Sequence, residues 1–286
     1  MLLSVGDLVL DVTIVPDRLL RPDDDTPAAI RVGGGGQAAN FCAWAVSLGQ
    51  EARLICRVGH DDTADRLVAE LVAGGVDVRA VRGEDPTGVI AVMVGPGGER
   101  TMATQRGASV GLRPEELQRE WFRDVSLLHL PAYSLFRDPL AAAGWRAVEL
   151  ARDQGAALAV DLSSAAGLIE YGATRMVEDL RRLRPEFLFA TAAEAEVLDS
   201  PFSELADHAV VKLGEAGCQI GHRRVTAPVV DVVDATGAGD ALAAAFCSAV
   251  LAGAGDVEAA ERAVAVAAEA VGILGARPLR RERAPQ

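Results

Sequence analysis

The segment with the clearest capacity for chemistry is Asp234-Ala235-Thr236-Gly237-Ala238-Gly239-Asp240. A β-branched run before it predicts a strand at residues 229–233, and an alanine-rich pattern from Ala241 predicts a helix after it. The segment is therefore a glycine turn that leads from a strand into a helix N-terminus. Small residues let backbone N–H groups converge, and with the helix dipole they form a site for a transferring phosphoryl group. A carboxylate at that site would repel the phosphate, so its presence needs a chemical reason. Accepting the proton of an attacking hydroxyl is such a reason, which makes Asp240 a candidate general base.

The same seven residues also fit a purely structural role. Aspartate is favoured in the first turn of a helix, and glycines often mark turns. From the segment alone, a helix cap and a catalytic base are equally good interpretations of Asp240.

A second glycine segment lies near the N-terminus and is suited to binding a polyhydroxylated ligand. It reads Gly35-Gly36-Gln37-Ala38-Ala39-Asn40 and is followed by Leu48-Gly49. The glycines allow backbone to approach a ligand, and Asn40 offers both a donor and an acceptor to its hydroxyls. Asp11, in the first β-rich stretch, is a further candidate, although an aspartate at the end of a strand can also cap a turn.

Together and in this order, the two segments resemble the signatures of the ribokinase-like (PfkB) carbohydrate kinases, with Ala235 where a second threonine is usual. The resemblance implies that Asp240 is the catalytic base and that the anion hole is formed by Gly237, Ala238 and Gly239. It implies that the sugar hydroxyls are bound by Asp11, Gly35, Gly36 and Asn40. It implies that Asp234 helps to bind a monovalent cation, with K⁺ as the candidate.

The resemblance also points to residues for ATP and Mg²⁺. Thr191-Ala192-Ala193-Glu194 stands where the family has Asn-x-x-Glu, so Glu194 is the candidate for holding Mg²⁺ through water. The expected ATP-binding residues are Lys212, Gly214, Thr236, Gly237 and Gly239. Gly275-Ala276 resembles the segment that flanks adenine and the cation.

The acceptor is less well defined by the sequence. Arg106 lies at the end of a predicted hairpin, where it either meets the carboxylate of a sugar acid or pairs with nearby acidic residues. We therefore expect ATP-dependent phosphorylation of a small sugar or sugar acid. Two alternatives stay open: a nucleoside kinase on the same fold, and a sugar-binding regulator that has lost catalysis.

The elements that must position these residues follow an α/β pattern. Strands are predicted at 2–15, 52–58, 126–130, 157–161, 187–190 and 208–213, and helices at 38–48, 62–73, 139–153, 174–183 and 191–198. Short apolar strands that alternate with helices predict a doubly wound, mainly parallel sheet. Residues 87–93 and 100–105 flank Gly95-Pro96-Gly97-Gly98 and predict a hairpin outside that sheet.

We expect one domain over residues 1–278, with a small β lid formed from about 12–32 and 87–106 and a loose tail at 279–286. The lid looks short for dimerisation through its strands, so a homodimer is left open. Residues 16–29, polar and proline-bearing, are expected to form a loop or a short irregular strand.

The overall composition limits the kinds of molecule that the protein is expected to bind. A formal charge of −13 argues against binding to nucleic acid, which needs a basic surface. No run approaches the ~20 apolar residues of a membrane span, and no basic leader follows Met1. The 4 cysteines are widely separated, which favours reduced, buried thiols in a cytoplasmic protein. The expected partners are ATP and a small sugar.

Overall fold

The computed structural model describes residues 1–95 and 100–278, which form a nine-stranded sheet with flanking helices and a separate four-stranded sheet. The strands are β1 (Leu2–Val5), β2 (Val9–Pro16), β3 (Ala28–Gly35), β4 (Ala52–Gly59), β5 (Asp77–Gly83), β6 (Thr87–Val94), β7 (Arg100–Gly107), β8 (Leu127–Pro131), β9 (Ala157–Asp161), β10 (Phe187–Thr191), β11 (His208–Lys212), β12 (Cys218–Ile220) and β13 (Arg223–Val225). The helices are α1 (Gln37–Ser47), α2 (Asp62–Ala73), α3 (Tyr133–Phe136), α4 (Leu140–Arg152), α5 (Ala165–Tyr171), α6 (Ala173–Leu183), α7 (Ala192–Val197), α8 (Ala238–Leu251) and α9 (Asp256–Val271).

The large sheet has the order β13-β12-β11-β10-β9-β8-β1-β4-β5. All pairs from β11 to β5 are parallel, and only β12 and β13 join antiparallel. Neighbouring residues of one strand enter different apolar clusters, Leu2 in one and Leu3 in the other, so both faces of the sheet are covered. The predicted doubly wound, mainly parallel sheet is confirmed.

The small sheet has the order β3-β2-β6-β7 and contains the predicted hairpin, whose strands β6 and β7 pair antiparallel. The hairpin therefore lies outside the large sheet, as expected. Its predicted turn at Pro96, Gly97 and Gly98 falls outside the described residues, as does the predicted tail at 279–286.

Two strand predictions were wrong. Residues 2–15 form two strands in different sheets, because the chain breaks at Gly6, Asp7 and Leu8 and turns Asp7 toward the site. Residues 229–233 are not a strand: Val229 is fully exposed, and no strand within residues 1–95 and 100–278 pairs with them. Their β-branched composition was misleading because β propensity depends on a packed pleated surface.

Other elements gave no recognised signal in the sequence. β5 is an edge strand paired with β4, and its arginines interrupt the apolar pattern. The small hairpin of β12 and β13 has only three residues per strand. The 16-residue helix α9 was not identified either.

Two composition-based expectations can be compared with the fold. Cys42, Cys56, Cys218 and Cys247 are all free and buried, as predicted. Among the described residues, no helix is both long and apolar enough to cross a membrane.

The fold brings polar residues together at the carboxyl ends of the parallel strands. Asp161 is the last residue of β9, Thr191 of β10 and Lys212 of β11, and Thr191 pairs with Lys212 in the sheet. This edge of a doubly wound sheet is where ligands bind in such folds.

Candidate active site

Two helix N-termini meet at the centre of the site. Asp240 lies in the first turn of α8, and Asn40 lies in the first turn of α1. The Asn40 side chain donates from Nδ2 to Oδ2 of Asp240 at 2.8 Å. The structure thus brings the predicted base of one segment into contact with the predicted sugar ligand of the other.

The surroundings of Asp240 favour its protonated form. The pKa of Asp240 is raised to about 8, chiefly by burial. The hydrogen bond from Asn40 and the charge of Lys212 oppose this rise, and the charges of Asp161 and Asp7 add to it. A carboxyl group with a pKa near neutrality is a better proton acceptor than one with the ordinary value near 4.

The turn before α8 requires glycine at position 237. Gly237 has φ of +78°, a region that side chains disfavour, and a Cβ there would lie 2.2 Å from the carbonyl oxygen of Ala276. The first N–H groups of α8, from Ala238 and Gly239 onward, have no partner within the helix and form the positive end of its dipole. This arrangement suits an anion at the mouth of the turn.

Asp234 organises the same turn. Its Oδ1 accepts from the backbone N–H of Thr236 at 2.9 Å and from the Thr236 hydroxyl at 2.6 Å. Its Oδ2 accepts from the backbone N–H of Gly275 at 3.0 Å. The carboxylate therefore joins the glycine turn to the segment that contains Gly275, and within the described residues no cluster of three or more His, Cys, Asp or Glu surrounds it as a metal site.

On the acceptor side, Asp11 packs directly against the glycine strand. A Cβ on Gly35 would lie 2.1 Å from Oδ2 of Asp11, so a side chain there would displace the Asp11 carboxylate. Oδ1 of Asp11 is buried and accepts no hydrogen bond from the described residues. Burial raises the pKa of Asp11 to about 7, an effect that the positive charge of Arg277 opposes. An orphaned buried carboxylate oxygen of this kind is suited to accepting a hydrogen bond from a ligand hydroxyl.

Arg106 lies beside this pocket, at the end of the small sheet. Its Nη1 lies 3.3 Å from Oδ2 of Asp7, and its guanidinium stacks 3.5 Å from the centroid of the Tyr133 ring. The ion pair and the ring hold the guanidinium in one orientation, and donors beyond the Asp7 contact remain for a ligand.

The ATP-side residues form a buried charge pair. Lys212 donates from Nζ to both oxygens of Asp161, at 2.9 and 2.7 Å, and Asp161 is fully buried. A Cβ on Gly239 would lie 3.3 Å from the same Nζ, so the ammonium borders the start of α8. Gly214 lies in an exposed turn after β11 with φ of +61°.

Glu194, the residue expected to hold Mg²⁺ through water, caps a helix in this structure. Its Oε2 accepts from the backbone N–H of Thr191 at 2.8 Å, and the Thr191 hydroxyl accepts from the N–H of Glu194, which is a reciprocal cap of α7. The side chain is buried rather than solvated, and burial raises its pKa, although the charge of Lys212 opposes this.

Two site residues were missed by sequence reasoning. Asp161 carries the charge that pairs with Lys212, and its signal was its position at the end of a predicted buried strand. Arg277 donates to the Asn40 side chain and to the Gly35 carbonyl. Its signal was its place directly after Gly275-Ala276, but nothing in the sequence indicated that the chain end returns to the glycine strand.

Comparisons with known proteins identify the family of the chain. The family model described as pfkB family carbohydrate kinase matches residues 1–282. An ATP-dependent ribose-1-phosphate kinase from Halopiger xanaduensis is 34% identical over 292 residues, covering 96% of this chain and 93% of that protein.

Two solved structures share the fold along nearly the whole chain. The adenosine kinase from Sinorhizobium meliloti has a TM-score of 0.85 and 26% identity, covering 98% of this chain and 96% of that one. An E. coli protein assigned as a Ribokinase II, in complex with ATP and Mg²⁺, has a TM-score of 0.83 and 24% identity, covering 96% and 94%.

Proposed function

We propose that this chain, which belongs to the pfkB family of carbohydrate kinases and is an ATP-dependent sugar kinase, acts on a pentose 1-phosphate such as ribose 1-phosphate. The relative from Halopiger xanaduensis, named for that substrate, supports this choice. The acceptor would be the remaining primary hydroxyl, at C5 of the sugar. The product would then be a pentose 1,5-bisphosphate.

The observation that carries the proposal is the position and protonation of Asp240. Asp240 lies in the first turn of α8, at the mouth of the glycine turn, and its pKa is raised to about 8. The hydroxyl oxygen attacks the γ-phosphorus of ATP while its proton passes to the Asp240 carboxylate, and ADP leaves with the bridging oxygen. The amides of Gly237, Ala238 and Gly239 bind the charge on the transferring group.

The sugar would lie over the glycine strand. Asp11 supplies the buried carboxylate oxygen without a partner, and the backbone at Gly35 and Gly36 lets the ring approach. Asn40 offers its remaining amide hydrogen, since its other contacts go to Asp240 and Arg277.

Arg106 is the residue proposed to bind the negatively charged group of the acceptor. Its guanidinium is held by Asp7 and Tyr133 beside the pocket. Guanidinium groups bind phosphate and carboxylate oxygens in pairs, so the same residue suits a sugar phosphate or a sugar acid. It also offsets the acidic character that Asp7 and Asp11 give to the pocket.

ATP would lie along the start of α8 and the end of β11. Lys212, Gly214 and Thr236 are the residues proposed to contact ATP, together with Gly237 and Gly239 of the glycine turn. Mg²⁺ would neutralise charge on the ATP phosphates, and the buried Glu194 carboxylate, which feels the charge of Lys212, is proposed to hold a water of that ion. Asp234 is proposed to stabilise the turn beside a monovalent cation such as K⁺.

The four-stranded sheet is proposed to act as the lid. It carries Asp11 and Arg106, and its closure over the pocket would exclude water that otherwise accepts the phosphoryl group. We also propose that the protein works in the cytoplasm, in keeping with its free, buried cysteines.

One rival remains within catalysis. The structural similarity to an adenosine kinase favours a nucleoside as the second candidate acceptor. A nucleoside carries a neutral base where ribose 1-phosphate carries a phosphate, so the two candidates differ in their need for Arg106.

The test is a coupled ADP-release assay over a panel of acceptors with ATP and Mg²⁺. The panel contains ribose 1-phosphate, ribose, fructose, 2-keto-3-deoxygluconate and adenosine. We expect kcat/KM for ribose 1-phosphate to exceed the others by at least about tenfold, as one charge-assisted contact provides. Turnover of adenosine with none on the sugars would reject the proposal in favour of a nucleoside kinase. No acceptor-dependent ADP release on any acceptor would favour a regulator.

A further inference from the structure

Arg277, near the end of the described chain, is a buried charge without a part in the reaction described above. Its side chain is only 9% exposed. Nε donates to Oδ1 of Asn40 at 3.1 Å, Nη2 donates to the Gly35 carbonyl at 2.8 Å, and Nη1 lies 3.4 Å from Glu70. Burying a guanidinium is costly unless its donors are satisfied, so these contacts hold it in one place.

Arg277 lies behind the glycine strand rather than in the sugar pocket. A Cβ on Gly34 would meet the Arg277 guanidinium at 2.1 Å, whereas a Cβ on Gly35 would meet Asp11. Adjacent residues of a strand point to opposite faces, so Arg277 and Asp11 lie on opposite sides of β3. Arg277 therefore acts on the reaction through other residues.

The residue through which it acts is Asn40. The Asn40 amide has one end that accepts and one end that donates. Arg277 can only donate, and an ionised Asp240 can only accept. The amide satisfies both partners only with its oxygen toward Arg277 and its nitrogen toward Asp240, which is the observed arrangement.

We propose that Arg277 is a positioning residue that locks the Asn40 amide with its NH₂ group facing Asp240. This inference rests on the proposed function, in which Asp240 is the base. Without Arg277, the amide is free to turn over and accept a hydrogen bond from a protonated Asp240. With Arg277 in place, the Asn40 amide can only donate to Asp240. This contact favours the ionised form of Asp240, which catalysis requires.

The C-terminal segment holds Arg277 at this point. The carbonyl of Ala276 accepts from the Trp44 indole at 3.0 Å, and the N–H of Gly275 donates to Asp234. Residues 275–277 thereby connect both glycine segments. Trp44 is a packing and anchoring residue here.

The test is a double-mutant cycle with Arg277→Met, Asn40→Ala and the double variant, measured as kcat/KM with the best acceptor. If Arg277 acts through Asn40, the double variant should lose no more than about threefold beyond Asn40→Ala alone. Arg277→Met alone should lose about tenfold or more, because misplacing a contact of the catalytic group is costly. If the loss of kcat/KM in the double variant equals the product of the two single losses, the residues act independently and the inference is overturned.

A pH profile separates positioning from a general structural role. The charged groups near Asp240 are Asp161 on β9, Lys212 on β11 and Asp7 after β1, and all remain in the variants. The Asn40 hydrogen bond lowers the pKa of Asp240, so its loss in Arg277→Met should raise that pKa. The midpoint of the acidic limb of the kcat/KM profile should then lie about one pH unit higher than in wild type. An unmoved limb would contradict the inference.

Controls keep the outcome interpretable. Glu70→Gln removes only the outer partner of Arg277, at a position 48% exposed, and should match wild type within about threefold. If Arg277→Met does not fold, Arg277→Lys keeps the charge but loses the fork of donors, and it should show a smaller shift of the same limb. If Arg277→Lys had wild-type activity and an unchanged acidic limb of the kcat/KM profile, that result would count against the inference. Activity retained by Asp240→Asn would instead refute the proposed function.

Discussion

Asn40 donates its side-chain amide to Asp240 at 2.8 Å, although the two residues are 200 positions apart. The contact joins the first turns of α1 and α8, so the sugar-binding segment and the phosphoryl-binding turn form one site. Because both N-termini carry positive dipole ends, the junction can stabilise negative charge at the point where Asp240 must ionise.

Activity should depend on the ionisation of Asp240. Burial raises its pKa to about 8, and only the ionised form accepts a proton. As pH falls below that value, kcat/KM should therefore fall toward tenfold per unit, and it should level off above it. A steady-state profile from pH 6 to 9.5 at saturating ATP measures this. A profile flat down to pH 6 would contradict it.

The glycine turn should not tolerate a side chain. Gly237→Ala combines a φ of +78° with a Cβ placed 2.2 Å from the Ala276 carbonyl. Gly253→Ala is the matched control, because Gly253 has φ of +92° but open space around it. Gly253→Ala should cost about 1 kcal/mol of unfolding free energy, and Gly237→Ala should cost more and reduce kcat as well. Equal losses in denaturant unfolding, with equal kcat, would count against the role of this close contact.

The ion pair of Lys212 and Asp161 should contribute to the stability of the fold, in addition to the role of Lys212 in ATP binding. Lys212→Met leaves the fully buried Asp161 charge without its partner, which should destabilise the protein by about 3–5 kcal/mol in urea unfolding. The double variant Lys212→Met with Asp161→Asn removes that charge too and should recover much of the loss. No recovery would mean that the cost has another source.

Arg106 should decide between charged and neutral acceptors. Arg106→Ala should raise KM for ribose 1-phosphate by about tenfold to a hundredfold, since a charge-assisted contact is lost, and should change KM for ribose far less. Arg262→Ala removes an arginine that pairs with Glu258 on α9 and serves as the control. An equal rise in KM for both acceptors would remove Arg106 from the recognition of charge.

The sequence predicted the large sheet and the separate hairpin, because apolar periodicity and glycine turns are local signals. It could not predict that Arg277 returns to Asn40, since that contact depends on how the chain end packs. It also left Asp161 unnamed, because an aspartate at the end of a buried strand gains meaning only once Lys212 lies beside it. At residues 229–233, local β propensity led to a wrong prediction, since no strand of the described chain pairs with this segment.

Asp240 itself illustrates the same limit. The sequence left a helix cap and a base as equal interpretations of its position. The structure adds the Asn40 hydrogen bond and burial that raises the pKa of Asp240 to about 8. Neither property follows from the seven residues of the motif.

The most direct test of the central claim is the rate of phosphoryl transfer by Asp240→Asn under single-turnover conditions with ATP, Mg²⁺ and the best acceptor of the panel. The variant keeps the shape of the side chain and removes a buried negative charge, so it should fold at least as stably as wild type, which thermal unfolding checks. We predict a loss of about 10²-fold or more, the range of general base catalysis. A rate within threefold of wild type would show that Asp240 is not the base.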